Sequence, residues 1–263
     1  MKELFIRTLT GISLVVLVAG SILLGPVPFL LVTIAIYVLS VRELLKLRSI
    51  NNRGVSVSLF LSGSLFLLVI LLVAEQQVHP LWFLLPAGIW TAGCLSGGAL
   101  RESLLTLVWL ILPLSLFCLL GWMTDDAGYH PLLPLALIAL VWINDTFAYL
   151  TGTWTGKHPM SPRRSPGKTW EGFIGGLAFT LLGAWLVFLI TGSLRVPEWL
   201  LIAPVVSLFS LLGDLFESGL KRDMNLKNTG SLLPGHGGVL DRFDSLFFAA
   251  PAFFAVILFI RYL

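Results

Sequence analysis

Apolar residues run along this chain in long blocks separated by short polar intervals. Nine such blocks come close to the ~20 residues that a bilayer core requires. They cover about 9–24, 26–45, 57–74, 81–96, 104–122, 131–150, 170–191, 198–218 and 241–262. Backbone groups cannot go unpaired in lipid, so blocks of this length are expected as helices. Only Gly25-Pro26 separates the first two, which predicts a tight helical hairpin. The fourth block is short and carries Pro86, so it is the poorest spanning pattern of the nine. The pattern predicts an all-α, polytopic membrane protein with about nine transmembrane helices.

Composition sharpens this. The 263 residues are 57% hydrophobic and 12% charged, against about one quarter charged in soluble domains. A single anchor would leave a normal soluble remainder, and none is visible. The start Met1-Lys2-Glu3 enters an apolar run near Leu9 with no small-residue cleavage site before a soluble domain. It is expected as a retained first helix.

Charge then orients the chain. With a cytoplasmic N-terminus, the inner segments are 1–8, 46–56, 97–103, 151–169 and 219–240. These and the adjoining helix ends hold all of the 17 Lys and Arg residues except Arg195 and Arg261. Outer loops read Glu75-Gln76-Gln77 and Asp125-Asp126 instead. Cytoplasmic loops carry the excess of Lys and Arg, so the split predicts N-terminus in and C-terminus out, as expected of a multi-pass protein of the inner (cytoplasmic) membrane. The net charge of +3 therefore reflects orientation. No basic surface interleaved with aromatics suggests nucleic acid as a partner. Cys94 and Cys118 fall in apolar runs without CxxC or CxxH neighbours, which favours apolar packing over a disulfide framework or a zinc site.

The chain changes character near residue 140. Residues 1–140 form apolar helices with plain loops, suited to packing, dimer contact or a lipid cavity. Residues 141–263 hold nearly all the unusual polar residues and the two long cytoplasmic loops, 151–169 and 219–240. Chemistry is expected there, in three clusters. Asn144-Asp145 lies inside the sixth block, where an ionisable residue is costly and marks a functional candidate, with a structural interhelical hydrogen bond as the alternative. The loop from Gly156 to Gly172 contains Lys157, Arg163, Arg164 and Lys168 with several hydroxyls and Glu171, just ahead of a helix N-terminus that suits phosphate. Gly167-Lys168-Thr169 imitates a P-loop, but Pro162 stands where the earlier glycine is required.

The third cluster is the most specific. It runs Gly213-Asp-Leu-Phe-Glu-Ser-Gly-Leu-Lys-Arg222, then Leu233-Pro-Gly-His-Gly-Gly-Val-Leu-Asp-Arg-Phe-Asp-Ser245. On a helix, Asp214, Ser218 and Lys221 share one face, and so do Asp241 and Asp244. Three carboxylates, Asp214, Asp241 and Asp244, converging at the membrane boundary would repel one another without a cation. Oxygen ligands without thiolate favour magnesium over zinc. Lys221, Arg222 and Arg242 suit phosphate oxygens, and the glycines around His236 let backbone approach closely. For His236 a phosphate contact is favoured over metal ligation. Acid for metal, base for phosphate and glycine for backbone point together to phosphoryl-group chemistry.

Ser218-Gly-Leu-Lys221-Arg222, Lys227, Pro234-Gly-His236-Gly-Gly and Asp241-Arg242-Phe-Asp244 resemble the signature of the phosphatidate cytidylyltransferases (CDP-diacylglycerol synthases). Ser165-Pro-Gly-Lys168-Thr169-Trp-Glu171-Gly and Arg7-Thr-Leu-Thr-Gly11 are similar to that family too. The resemblance implies that CTP and phosphatidate give CDP-diacylglycerol and pyrophosphate in phospholipid biosynthesis. It implies a magnesium-dependent site on the cytoplasmic side, a second, monovalent cation such as potassium, and a homodimer. On the matching positions Asp214, Asp241 and Asp244 would serve the cations, with Ser218 and Lys221 lining the site. One departure is Asn228, where the family usually has an acid.

Phosphatidate is a phosphate monoester, already mostly dianionic at neutral pH, so its attack needs no dedicated general base. The phosphates would fall to Lys221, Arg222, Arg242 and the Lys157–Lys168 loop, with Asn144 and Asp145 as supporting or substrate-polar contacts. A CTP-dependent polyprenol or lipid-alcohol kinase is the alternative enzyme, releasing CDP in place of pyrophosphate. A membrane transporter is a further alternative, suited by Asp145 but opposed by acids that cluster at one face and by the lack of an inverted repeat.

Overall fold

A computed structural model describes residues 2–50, 52–97, 100–124, 128–162, 165–224, 226, 229–230, 232 and 237–262. Nine helical stretches follow one another in these residues. They are α1 (Lys2–Leu24), α2 (Pro26–Leu47), α3 (Arg53–Ala74), α4 (Leu84–Gly97), α5 (Leu100–Trp122), α6 (Leu132–Thr155), α7 (Trp170–Thr191), α8 (Val196–Asp223) and α9 (Leu240–Tyr262). A short antiparallel pair, β1 (Pro159–Ser161) and β2 (Ser165–Thr169), joins α6 to α7.

Seven of the helices, α2, α3 and α5 to α9, are long and apolar enough to cross a membrane. The first and fourth apolar blocks form shorter apolar helices, Leu9–Leu24 and Pro80–Leu95. The fold is therefore that of an all-α, multi-pass membrane protein. α7 makes the point physically. Only 22% of its most apolar stretch is buried inside the protein, and Ile174, Leu189 and Ile190 are exposed along it. Such a surface suits an apolar environment and not water.

The chain forms two compact units that are discontinuous in sequence. The first holds residues 1–134 with 228–243, and the second holds 135–227 with 244–263.

In the first unit, Gly25 makes the sharp turn between α1 and α2 at φ +121°, a region that L side chains rarely adopt. Pro26 opens α2, where its missing N–H costs nothing. Asn52 caps α3 by accepting from Gly54 N and Val55 N at 2.9 and 3.3 Å. α2 and α3 come together where the buried Tyr37 ring fills the space above Gly63. Its hydroxyl donates to the Leu59 carbonyl at 2.6 Å. α5 widens into a π turn at Leu107–Ile111, two residues ahead of Pro113. A proline ring inside a helix clashes with the carbonyl four residues back, and loosening the preceding turn relieves this. At the far end Tyr129 donates to the Ile22 carbonyl at 2.8 Å, and its burial raises the phenol above its ordinary pKa.

In the second unit, α6 and α7 approach closely because α7 presents Gly172, Gly175, Gly176 and Gly183 to it. A Cβ at any of these would press on Ala148, Thr151, Asn144 or Ile143. Small residues at such a face are the usual means of bringing helices together in lipid, where apolar surface alone gives little drive. Trp199 anchors the start of α8, fully buried with Nε1 donating to the Ser193 carbonyl at 2.7 Å.

Candidate active site

An aspartate inside an apolar helix needs partners, and the second unit supplies them from four elements. α8 packs tightly on α9 at Gly213, where a Cβ would run into the Asp244 carbonyl oxygen. That close approach brings the following residue, Asp214, beside Asp244. The Asp244 carboxyl is buried. One oxygen accepts from Ser245 N at 2.8 Å. The carboxyl is also hydrogen-bonded to that of Glu217 and lies near Asp214 and Asp145. Glu217 is fully buried and receives Lys221 Nζ at 2.6 Å, one helical turn on.

β2 contributes Lys168, whose Nζ lies 2.5 Å from an Asp214 carboxylate oxygen. Ser218 donates to the other Asp214 oxygen at 3.3 Å. The helical face expected for Asp214 and Ser218 is thus present, while Lys221 is turned to Glu217. From α6, Asn144 donates to Asp145 at 3.2 Å and accepts from Thr180 of α7 at 3.4 Å. Asp145 is hydrogen-bonded by Ser245 and lies near Lys168 and Asp214. Four carboxyls, from Asp145, Asp214, Glu217 and Asp244, therefore share one neighbourhood with Lys168 and Lys221.

Thr169 and Glu171, at the start of α7, also have partners within the protein. Thr169 is its N-cap, accepting from Gly172 N at 3.1 Å. Glu171 reaches back to His158, taking its backbone N at 3.2 Å and its ring Nδ1 at 2.5 Å. The loop expected over 151–169 is in part a strand pair, with Ser165 set opposite Ser161 and Lys157 exposed before it. Arg222 and Arg242 are exposed at the end of α8 and the start of α9. Arg163, Arg164, Lys227, Asn228, Pro234, Gly235 and His236 lie outside the described residues.

Asp241 has different surroundings, within the first unit. Its carboxylate accepts from Thr229 N at 3.0 and 3.3 Å and from Gly238 N at 2.8 Å. It binds backbone. Beside it is a residue that the motifs did not single out, Glu43 of α2, whose carboxylate accepts from Val239 N and Leu240 N, each at 2.9 Å. Glu217 is a second such residue. Both are acids inside apolar helices, the criterion that picked out Asp145 and that applies equally to them.

The arrangement can bind cations and polyanions. Among the described residues no three His, Cys, Asp or Glu side chains are gathered as a ready-made metal cage. Magnesium does not require one. It is commonly held by one or two carboxylates, with water and substrate phosphate completing the shell.

A model of the cytidylyltransferase family matches residues 5–260, from the first helix to the last. The chain belongs to the cytidylyltransferase family. A phosphatidate cytidylyltransferase of Staphylococcus haemolyticus (strain JCSC1435) is 34% identical over 265 residues, which is 94% of this chain and 96% of that one. Another, from Staphylococcus saprophyticus subsp. saprophyticus, is 34% identical over 266 residues with the same coverage. A third, from Staphylococcus aureus (strain COL), is 48% identical over 130 residues, 49% of each chain. This is therefore a family of enzymes, and the match takes in the membrane helices and the polar clusters alike.

Proposed function

We propose that this enzyme transfers the cytidylyl group of CTP to phosphatidate, releasing pyrophosphate and leaving CDP-diacylglycerol in the bilayer as a step of phospholipid synthesis. The observation that carries this reading is the end-to-end likeness to phosphatidate cytidylyltransferases, covering 94% of this chain. A phosphatidate oxygen forms the new bond to the α-phosphorus of CTP, and the bond from that phosphorus to the bridging oxygen of the β-phosphate breaks. The electron pair leaves with pyrophosphate. The nucleophile arrives as a dianion, so the protein's task is to bring two polyanions together and stabilise the departing charge.

In this reading Lys168 and Lys221 take phosphate oxygens as substrate displaces their present carboxylate partners, with Arg222, Arg242 and Lys157 at the exposed rim. His236 and Lys227 are assigned to phosphate on their motif positions. Ser218 orients Asp214, and Asn144 holds Asp145. The carboxylate oxygens of Asp214 and Asp244 fit a hard divalent cation such as magnesium. Asp241, one turn ahead of Asp244 on the same helix, is kept in the proposed cation set on its sequence position. Magnesium supplies charge neutralisation of the triphosphate and its leaving group. A second, monovalent cation such as potassium suits the remaining acids. The enzyme is expected at the cytoplasmic face of the inner membrane, as a homodimer, with phosphatidate entering sideways from the inner leaflet.

The test is conversion of radiolabelled CTP by purified enzyme in phosphatidate-containing micelles. The expected result is a lipid-extractable, magnesium-dependent product with one pyrophosphate released per lipid. Release of CDP with a phosphorylated lipid alcohol would assign the kinase reaction instead.

A further inference from the structure

Glu43 lies near the end of α2 and is buried, with 7% of its surface exposed. Putting a carboxylate there is costly unless its oxygens are satisfied, and they are satisfied by the start of α9. One oxygen accepts Val239 N and the other Leu240 N, each at 2.9 Å, and the second also accepts the Thr229 hydroxyl at 3.2 Å. The next amide back, Gly238 N, goes to Asp241. Three consecutive N–H groups at a helix start, which no intrahelical carbonyl can reach, are thus all held by carboxylates. One of these carboxylates comes from a helix nearly two hundred positions away in the chain.

The fit leaves no slack. A Cβ on Gly230 would come within 2.7 Å of a Glu43 oxygen, and one on Gly238 would collide with both Glu43 and the Thr229 hydroxyl. Thr229 is gripped twice, by its hydroxyl to Glu43 and by its N–H to Asp241.

We propose that Glu43 is a positioning residue, a remote cap that fixes the entry and rotation of α9 and so sets where Asp241 and, three residues on, Asp244 stand. Its activity readout rests on the cytidylyl-transfer reading above; its structural readout does not. Glu43→Gln is the sharp test because it keeps shape. An amide has one acceptor oxygen where two N–H groups need one each, and its NH2 would face a donor.

In Glu43→Gln, kcat should fall about 10²-fold, as small misplacements remote from chemistry can do, while the KM for CTP stays within a few-fold. Hydrogen exchange of the peptide spanning 229–240 should speed up about tenfold, matching loss of roughly one buried hydrogen bond, with α3 peptides unchanged. Glu43→Asp should recover part of the rate and Thr229→Val should lose less than Glu43→Gln. Wild-type kcat in Glu43→Gln, or lost kcat with unaltered exchange over 229–240, overturns the proposal. Should Glu43→Gln fail to accumulate in membranes, Gly238→Ala presses on the same carboxylate and must show the same paired loss, or the proposal falls. Should the wild-type enzyme itself make no CDP-diacylglycerol, the functional reading fails while the exchange measurement still decides the clamp.

Discussion

Two groups of acids in this protein do different work, and their partners tell them apart. Glu43 and Asp241, in the first unit, accept from backbone N–H groups of residues 229 and 238–240. Asp214, Glu217 and Asp244, in the second, face lysines, a serine and one another. A carboxylate that accepts from backbone is tied to the fold and has only its remaining lone pairs to offer a cation. A carboxylate that faces side chains and other carboxylates can change partners when a cation or a phosphate arrives. Residue type alone does not separate these roles, and neither does burial.

The comparison can be broken most directly at Asp244. Asp244→Asn should lower CDP-diacylglycerol formation on the order of 10³-fold, the scale of a lost cation contact worth several kcal/mol. Thermal stability should hold, since a like charge is removed from a crowded site. Magnesium should raise the unfolding temperature of the wild type but not of this variant. Full activity in purified Asp244→Asn would remove the cation assignment. Lys168→Met comes next, with a fall of about 10²-fold in kcat/KM if the ammonium meets phosphate in the transition state. An effect confined to stability would return Lys168 to a purely structural pairing with Asp214.

Asp241→Asn probes the other group. It should cost about 1–3 kcal/mol of stability, because a buried N–H loses its acceptor, and hydrogen exchange over 229–240 should rise with it. A variant as stable as wild type would erase the distinction drawn between Asp241 and Asp244. Smallest is Thr169→Ala, expected to cost about 1 kcal/mol through the lost helix cap, seen as a lower unfolding temperature that Thr169→Ser restores.

The helices were legible because their signal is length and apolarity, which the bilayer enforces. The break at Gly25-Pro26 appears as read, and the poor fourth block, with Pro86, forms one of the two shorter apolar helices. Of the three carboxylates expected to converge from their helical spacing, Asp214 and Asp244 lie together, with the close approach at Gly213 as the structural basis, while Asp241 accepts from backbone. The roles of Glu43 and Asp241 were not legible. They depend on segment 228–243 joining a unit otherwise made of residues 1–134, a long-range pairing that periodicity does not encode. The β1–β2 pair escaped notice because three- and five-residue strands rich in proline and glycine carry no alternating pattern. Thr169 and Glu171 read as anion contacts because hydroxyls and acids at a helix start look the same whether they cap the helix or hold a ligand.

The sparse cover of α7 has a consequence for the enzyme's surroundings. Its 22 residues make a rod of about 33 Å, close to the ~30 Å thickness of an average hydrocarbon core, and a spanning helix of that length answers to a change of bilayer thickness by tilting. Lys168 stands two residues before this rod. Turnover should therefore peak in vesicles of intermediate chain length and drop a few-fold in thinner or thicker ones, so that lipid composition tunes the enzyme that supplies it.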